Sequence, residues 1–189
     1  MDAGQLTLAW LVPVSADLYA GGGFFGAGTM ARAAVALGAN LGDRRATLDS
    51  AVAMIAREIG PVVARSAWLE TAALIHPDDP AQSYPAYLNG VVLTDTDLPP
   101  LQILVRLHAI ETALGRDRSI ETARWRPRLI DLDLVALDDT VLDTPDLVLP
   151  HPEMHNRSFV LSPMCEVWPD WRHPRLGRTT RELVAALEN

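Results

Sequence analysis

Residues 124–135 read RWRPRLIDLDLV, and this stretch indicates both a structural element and a chemistry. The apolar run at 129–137 predicts a β-strand, in which successive side chains point to opposite faces of a sheet. Leu129, Asp131, Asp133 and Val135 then share one face, and the two carboxylates lie about 7 Å apart along it. Two buried carboxylates that close repel each other and lose hydration, so the pattern favours a bound cation.

Arginines stand directly before this strand, at Arg124, Arg126 and Arg128. Their planar guanidinium groups match the oxygens of a phosphate. Carboxylate oxygens are ligands that Mg²⁺ prefers. Carboxylates for a metal beside arginines for phosphate therefore predict a site for a magnesium nucleotide.

The composition limits the possible functions. All 16 cationic residues among the 189 are arginine, which excludes mechanisms that need a phosphate-binding or Schiff-base lysine. The net charge of −8 argues against nucleic acid and anionic membranes as partners. The single cysteine, Cys165, excludes an internal disulfide and fits a reducing compartment, so we expect a cytoplasmic protein.

The first 30 residues differ from the rest of the chain. They hold six of the 12 glycines and no arginine, whereas a secretory signal would begin with a basic segment. The apolar run at 6–14 is also too short to cross a bilayer. We expect residues 1–30 to be a flexible extension or the product of a mis-called start, and residues 31–189 to form one domain.

Hydrophobic periodicity predicts the element order β-α-β-β-α-β. This is the ferredoxin-like pattern, an α+β fold with an antiparallel sheet and both helices on one face. The predicted strands cover residues 33–37, 62–69, 87–94 and 129–137, and the predicted helices follow Asp43 and cover 101–114. Residues 138–189 add a short helix near 155–161 and a terminal helix near 180–188, which either cover the other face of the sheet or complete a site.

Four separated stretches carry a resemblance to a known family. They read ALGANL at 36–41, YLN at 87–89, the RWRPRLIDLDLV stretch, and PH at 150–151 followed by NRSF at 156–159. In this order they resemble the 6-hydroxymethyl-7,8-dihydropterin pyrophosphokinases from about Ala33 to the C-terminus. The resemblance implies a monomeric enzyme that transfers diphosphate from ATP to the hydroxymethyl group of a dihydropterin and releases AMP.

The resemblance also implies roles for individual residues. Asp131 and Asp133 would hold two Mg²⁺ ions, and with Arg116 and Arg128 they would form the catalytic group. ATP would contact Arg118, Arg128, His151 and Arg157. The pterin would lie among Thr71, Leu74, Tyr87, Asn89, Trp125 and Phe159.

Two departures from the family pattern keep other functions open. Arg126 stands where the family has glycine or alanine, and His108 stands where a glutamine often meets the nucleotide. A degenerate, non-catalytic pterin- or nucleotide-binding module is therefore one alternative. RNA-binding RRM domains share the topology but need aromatics on the first and third strands, and residues 33–37 and 88–94 contain none. An ACT-like regulatory module would give no reason for paired aspartates beside arginines.

Overall fold

The structure is a computed structural model that describes residues 30–73, 84–117 and 127–188. The main sheet contains β1 (Ala31–Ala39), β2 (Val62–Arg65), β3 (Leu69–Thr71), β4 (Tyr87–Thr96) and β5 (Asp131–Leu137). The strands lie in the order β2-β4-β1-β5, with β3 also paired to β4, and all pairings are antiparallel. This arrangement confirms the predicted ferredoxin-like fold.

Two helices lie on the first face of the sheet, which carries Ala33 and Val35. They are α1 (Arg44–Glu58) and α2 (Pro100–Ala113). The Asp43 side chain accepts a hydrogen bond from the Ala46 N–H and caps α1, as predicted. The apolar sides of both helices pack on this face and form a first core layer that includes Leu37, Leu48, Ile55, Val92, Ile103, Leu107 and Leu132.

The second face of the sheet, which carries Ala34 and Ala36, is covered by the C-terminal part of the chain. After a hairpin of β6 (Leu142–Asp143) and β7 (Val148–Leu149), the chain forms α3 (Ser158–Val167) and α4 (Thr180–Leu187). The resulting second core layer includes Val91, Leu93, Val135, Met154, Leu161, Met164, Trp171 and Leu183. Covering the other face was one of the two roles that the sequence left open for this region.

The helix predicted near residues 155–161 begins later and runs further than predicted. A 3₁₀ turn at Met154–Asn156 precedes α3, which continues to Val167 with Pro163 inside it. Proline normally interrupts a helix. Here the apolar side of α3 is buried against the sheet on both sides of Pro163, so tertiary packing outweighs the local preference.

The prediction of a single strand over residues 62–69 is wrong, because the chain forms two strands there, β2 and β3. At the break, the Ser66 backbone N–H donates to the Val91 carbonyl, and the Ser66 hydroxyl accepts from the Val91 N–H. The Trp68 ring then lies over the backbone of Gly90, where a Cβ would be only 2.6 Å from the ring. A glycine in the neighbouring strand makes room for this ring and for the interruption.

The last strand of the sheet begins at Asp131, not at residue 129, and it contains a β-bulge. Ala34 pairs with Ala136 while Val35 pairs with Leu134, so Val135 is an additional residue. Leu132 and Leu134 belong to the first core layer, whereas Val135 and Ala136 both belong to the second. Asp131 and Asp133 share the second face with Val135 as predicted, but Leu129 lies outside the strand.

The prediction for the first 30 residues falls almost entirely outside the described part of the chain, since only Met30 belongs to it. Met30 is exposed and leads directly into β1. Within the described residues, every helix is too short or too polar to cross a membrane.

Candidate functional site

Three adjacent strands bring predicted site residues together at one end of the second face. Gly38 on β1 pairs with Asn89 on β4 and with Asp131 on β5, and Ala36 pairs with Asp133. Neighbouring strands lie about 4.8 Å apart, so Asn89 and Asp131 are separated by roughly 10 Å across β1. An amide and a pair of carboxylates therefore lie on one surface, far enough apart for each to contact a different ligand.

Gly38 keeps the space between these groups open. A Cβ at this position would lie 3.0 Å from the Asn89 Oδ1 atom. With Ala36 as the next residue on the same face, β1 contributes only small groups here. The middle of the site is therefore a shallow floor of backbone and methyl groups between polar walls.

Two arginines neutralise Asp131. An Arg128 guanidinium nitrogen lies 2.9 Å from one carboxylate oxygen, and an Arg116 nitrogen lies 2.5 Å from the other. Only 4% of the Arg116 side chain is exposed, against 24% for Arg128. Arg116 is thus fixed within the protein, whereas Arg128 borders the open side of the site.

Glu111 holds Arg116 in this position, and sequence reasoning missed it. Its fully buried carboxylate accepts hydrogen bonds from Arg116 at 2.5 Å and from the Leu132 N–H at 2.8 Å. A signal was present, because Glu111 continues the helical series of Ile103 and Leu107 at i, i+4 spacing. A carboxylate in the apolar series of a helix needs a buried partner, and Arg116 is that partner.

The pKa of Asp133 is raised. Burial is the larger cause, and the negative charge of Asp131 adds to it. His151 and Arg157 act in the opposite direction. Asp133 is thus a carboxylate whose charged form is under-compensated by the protein alone, which is the condition under which a cation binds well.

His151 is held in place by its own backbone. Its N–H donates to the Val135 carbonyl at 2.8 Å, and the peptide bond before Pro150 is cis. Its Nδ1 atom accepts a hydrogen bond from the Glu153 N–H, which leaves Nε2 as the protonated nitrogen of the neutral ring. Burial lowers the pKa of His151, and the carboxylate of Asp133 opposes this shift.

The start of α3 brings two more predicted residues to the site. Arg157 is the N-cap residue of α3, and its guanidinium lies 5.9 Å from the ring centroid of Phe159. Arg157 is also close enough to Asp133 and His151 to influence the pKa of both. The C-terminal region therefore supplies site residues as well as a core layer, which was the second role left open by the sequence.

The amide of Asn89 is oriented by Thr71. Asn89 is buried, and its Nδ2 atom donates to the Thr71 Oγ1 atom at 2.8 Å. Tyr87 lies two residues earlier on the same strand and pairs with Thr71 across it. Because side chains alternate along β4, Tyr87 and Asn89 lie on the same face as the two aspartates.

Three of the predicted site residues lie outside the described part of the chain: Leu74, Arg118 and Trp125. The same holds for Arg126, one of the two departures from the family pattern. Nine of the other predicted residues converge on one end of the second face: Thr71, Tyr87, Asn89, Arg128, Asp131, Asp133, His151, Arg157 and Phe159. The tenth, Arg116, is buried beside Glu111 of α2 and reaches Asp131 from there.

The donor set limits what kind of metal site this can be. Across residues 30–73, 84–117 and 127–188, no three His, Cys, Asp or Glu side chains are grouped to hold a metal. Two carboxylates alone fit Mg²⁺, which usually takes one or two protein carboxylates and completes its shell with water and substrate phosphates. They do not fit zinc, which prefers three or four protein ligands.

The sequence is similar to known proteins over most of its length. A model of the family 7,8-dihydro-6-hydroxymethylpterin-pyrophosphokinase matches residues 34–169. The 2-amino-4-hydroxy-6-hydroxymethyldihydropteridine pyrophosphokinase of Methylorubrum extorquens is 41% identical over 160 residues, covering 84% of this chain and 95% of the relative. The protein of the same name from Pseudomonas aeruginosa is 39% identical over 155 residues, covering 82% and 91%.

The fold is similar to that of solved structures. The wild-type HPPK-DHPS of Plasmodium falciparum matches with a TM-score of 0.61 at 15% sequence identity. The match covers 84% of this chain but only 45% of that one. At this identity the likeness concerns the fold alone.

Proposed function

Because the chain belongs to the 7,8-dihydro-6-hydroxymethylpterin-pyrophosphokinase family, we propose that it transfers diphosphate from ATP to 6-hydroxymethyl-7,8-dihydropterin, releasing AMP. The observation that carries this proposal is the placement of Asn89 and the Asp131–Asp133 pair on one face, two strands apart. Family membership also removes the RNA-binding and ACT-like alternatives.

In this proposal Asp131 and Asp133 hold Mg²⁺ together with the phosphates. The raised pKa of Asp133 supports it, since a cation would relieve the cost of that buried charge. Bound Mg²⁺ would supply charge neutralisation at the phosphate oxygens. The protein's other side chains would bind the two substrates and orient them for the transfer.

The phosphate groups would lie against the arginines. Arg116 and Arg128 pair with Asp131, and Arg157 lies close enough to Asp133 to lower its pKa. His151 adds a neutral Nε2–H donor that does not depend on protonation. Charge on transferring phosphoryl oxygens is stabilised by such fixed donors, so these residues would lower the barrier by positioning and electrostatics. We include Arg118 by family resemblance.

The pterin would lie at the other end of the floor, over β4. Asn89 offers an amide whose orientation Thr71 fixes, and an amide can donate and accept along one edge of a heterocycle. Tyr87 and Phe159 would supply aromatic faces for stacking. Leu74 and Trp125 belong to the same group by family resemblance.

The proposal is tested by following AMP release from ATP and 6-hydroxymethyl-7,8-dihydropterin with the full-length protein. We expect AMP only when both substrates and Mg²⁺ are present, and a chelator should stop its formation. AMP formation unaffected by the chelator would contradict the metal role. No AMP above background, with pterin binding retained in calorimetry, would instead support the degenerate binding module.

A further inference from the structure

Asn40 connects the two halves of the site, the nucleotide half at the start of β5 and the pterin half at the start of β4. It follows β1 directly, is only 2% exposed, and bonds to two segments that are far away in sequence. Its Oδ1 atom accepts from the Arg128 N–H at 2.7 Å, and its Nδ2 atom donates to the Pro85 carbonyl at 3.1 Å. One side chain therefore joins the approaches to β4 and β5.

The bonds to Arg128 form a closed pair. The backbone N–H of Asn40 donates to the Arg128 carbonyl at 3.1 Å, while the Arg128 N–H donates back to the side chain. This fixes the backbone of Arg128 three residues before Asp131. The guanidinium of Arg128 then reaches Asp131 from a defined position.

The bond to Pro85 acts on the other half. Pro85 lies two residues before Tyr87 and four before Asn89, which we placed on the pterin side. Arg44 supports the same segment, since its guanidinium donates to the Ala86 carbonyl at 2.6 Å and pairs with Glu70 at 2.9 Å. With Arg44 in place, loss of Asn40 should loosen this segment without unfolding it.

From these contacts we propose that Asn40 is a positioning residue, which sets the nucleotide half of the site against the pterin half. The inference rests on the proposed function, because it takes the identities of the two halves from there. Only an amide fits both contacts, since one faces a donor and the other an acceptor. A carboxylate would keep the Arg128 contact and lose the Pro85 contact.

The difference between these substitutions makes a test. In Asn40→Asp we expect the dissociation constant for the pterin to rise about tenfold, as one buried hydrogen bond is lost. The dissociation constant for ATP with Mg²⁺ should stay within about twofold of wild type, since the Arg128 bond remains. Asn40→Ala should weaken both ligands and also lower kcat.

A matched control is available at the opposite end of the sheet. Thr96 is buried on β4, and its hydroxyl donates to the Ile59 carbonyl at 2.8 Å. Thr96→Val should lower Tm by as much as Asn40→Ala, yet leave both dissociation constants and kcat unchanged. The comparison separates positioning from a general loss of stability.

Calorimetric binding constants decide the inference even if the wild-type protein releases no AMP, a result that would refute only the proposed function. The inference is overturned if Asn40→Ala binds both ligands within about twofold of wild type. It is equally overturned if Thr96→Val reproduces the losses, or if Asn40→Asp weakens ATP as much as the pterin.

Discussion

At the scale of residues, the site is a balanced set of charges around the start of one strand. Three carboxylates face three guanidinium groups there: Glu111, Asp131 and Asp133, with Arg116, Arg128 and Arg157. Glu111 and Arg116 are buried, whereas the other four border the open side. In the proposed function, an incoming polyphosphate with its metal would exchange partners with the outer charges while the inner pair stays in place.

Replacing Glu111 by alanine should be strongly destabilising. The change leaves the Leu132 N–H without its buried acceptor and leaves the buried Arg116 charge with Asp131 as its carboxylate partner, and breaking such a buried pair typically costs about 3–5 kcal/mol of unfolding free energy. Urea denaturation measures it. Glu70→Ala is the control, because that carboxylate is 60% exposed and its pair with Arg44 should contribute no more than about 1 kcal/mol. Equal losses in the two variants would contradict the role given to Glu111.

Replacing Asp131 or Asp133 by alanine should remove most of the turnover. Metal ions supply several kcal/mol of charge stabilisation in such reactions, so kcat should fall by about 100-fold or more. Steady-state AMP release measures it. Asp139→Ala serves as the control, since this exposed aspartate lies just beyond β5 and its loss should leave kcat unchanged. A kcat near the wild-type value in Asp133→Ala would rule out the proposed metal role.

At the scale of elements, the register of β1 against β4 is fixed at its outer end by an ion pair. Arg32 and Asp95 are direct partners in the ladder, and the guanidinium makes two hydrogen bonds to the carboxylate, at 2.8 and 3.1 Å. The hydrogen bond from Arg32 lowers the pKa of Asp95 more than burial raises it. Folding therefore favours the charged form of this carboxyl.

The sign of the pH dependence follows from that lowered pKa. The stability that Asp95 contributes is complete above the ordinary carboxyl value of 3.8 and is lost as the pH falls through the lowered folded value. Wild type should exceed Asp95→Asn by up to about 1 kcal/mol at neutral pH, because both side chains are partly exposed. Urea denaturation at falling pH should show the gap closing below about pH 4. A gap that widens in acid would refute this account.

Elements could be predicted from the sequence where the local signal and the packing agree. The capping carboxylate of Asp43 and the apolar spacing of α1 and α2 are local features, and both helices form within a residue of the expected positions. The break at Ser66 and the length of α3 depend on Gly90 and on the covered face of the sheet. Such distant partners cannot be seen in a local pattern.

The residues of the candidate site also fall into two groups, those that the sequence alone predicts and those that depend on distant partners. Asp131 and Asp133 can be recognised as site residues from the sequence alone, because carboxylates in an apolar strand need a compensating charge. Asn40 and Glu111 act through residues at distances of 88 and 21 positions along the chain. Their importance depends on where the chain brings those partners, so it becomes visible only in the folded protein.

At the scale of the whole molecule, one sheet separates two core layers. Leu107 lies in the first layer and Leu183 in the second, and both are buried. Because the strands contribute side chains to both layers, neither layer can lose its packing while the sheet stays intact. The described part of the chain should therefore unfold as one cooperative unit.

Leu107→Ala and Leu183→Ala test this cooperativity from opposite sides. Each should cost about 2–5 kcal/mol, because each leaves a cavity in a packed layer. In differential scanning calorimetry both variants should show a single transition, with equal calorimetric and van't Hoff enthalpies. A second transition in Leu183→Ala would mean that the layer under α3 and α4 melts separately.

The additional residue in β5 has a consequence for how this strand can change. Side chains alternate between the two faces along a strand, and the bulge at Val135 shifts this alternation by one residue between the carboxylates and Leu137. Before the shift, odd positions face the open site; after it, Leu137 faces the first core layer. Deleting Val135 would restore an even ladder and leave both aspartates and Leu137 on their present faces, whereas deleting Leu132 would put the two aspartates on opposite faces. The strand can therefore lose its additional residue without reorienting the carboxylates, but it cannot lose the residue between them.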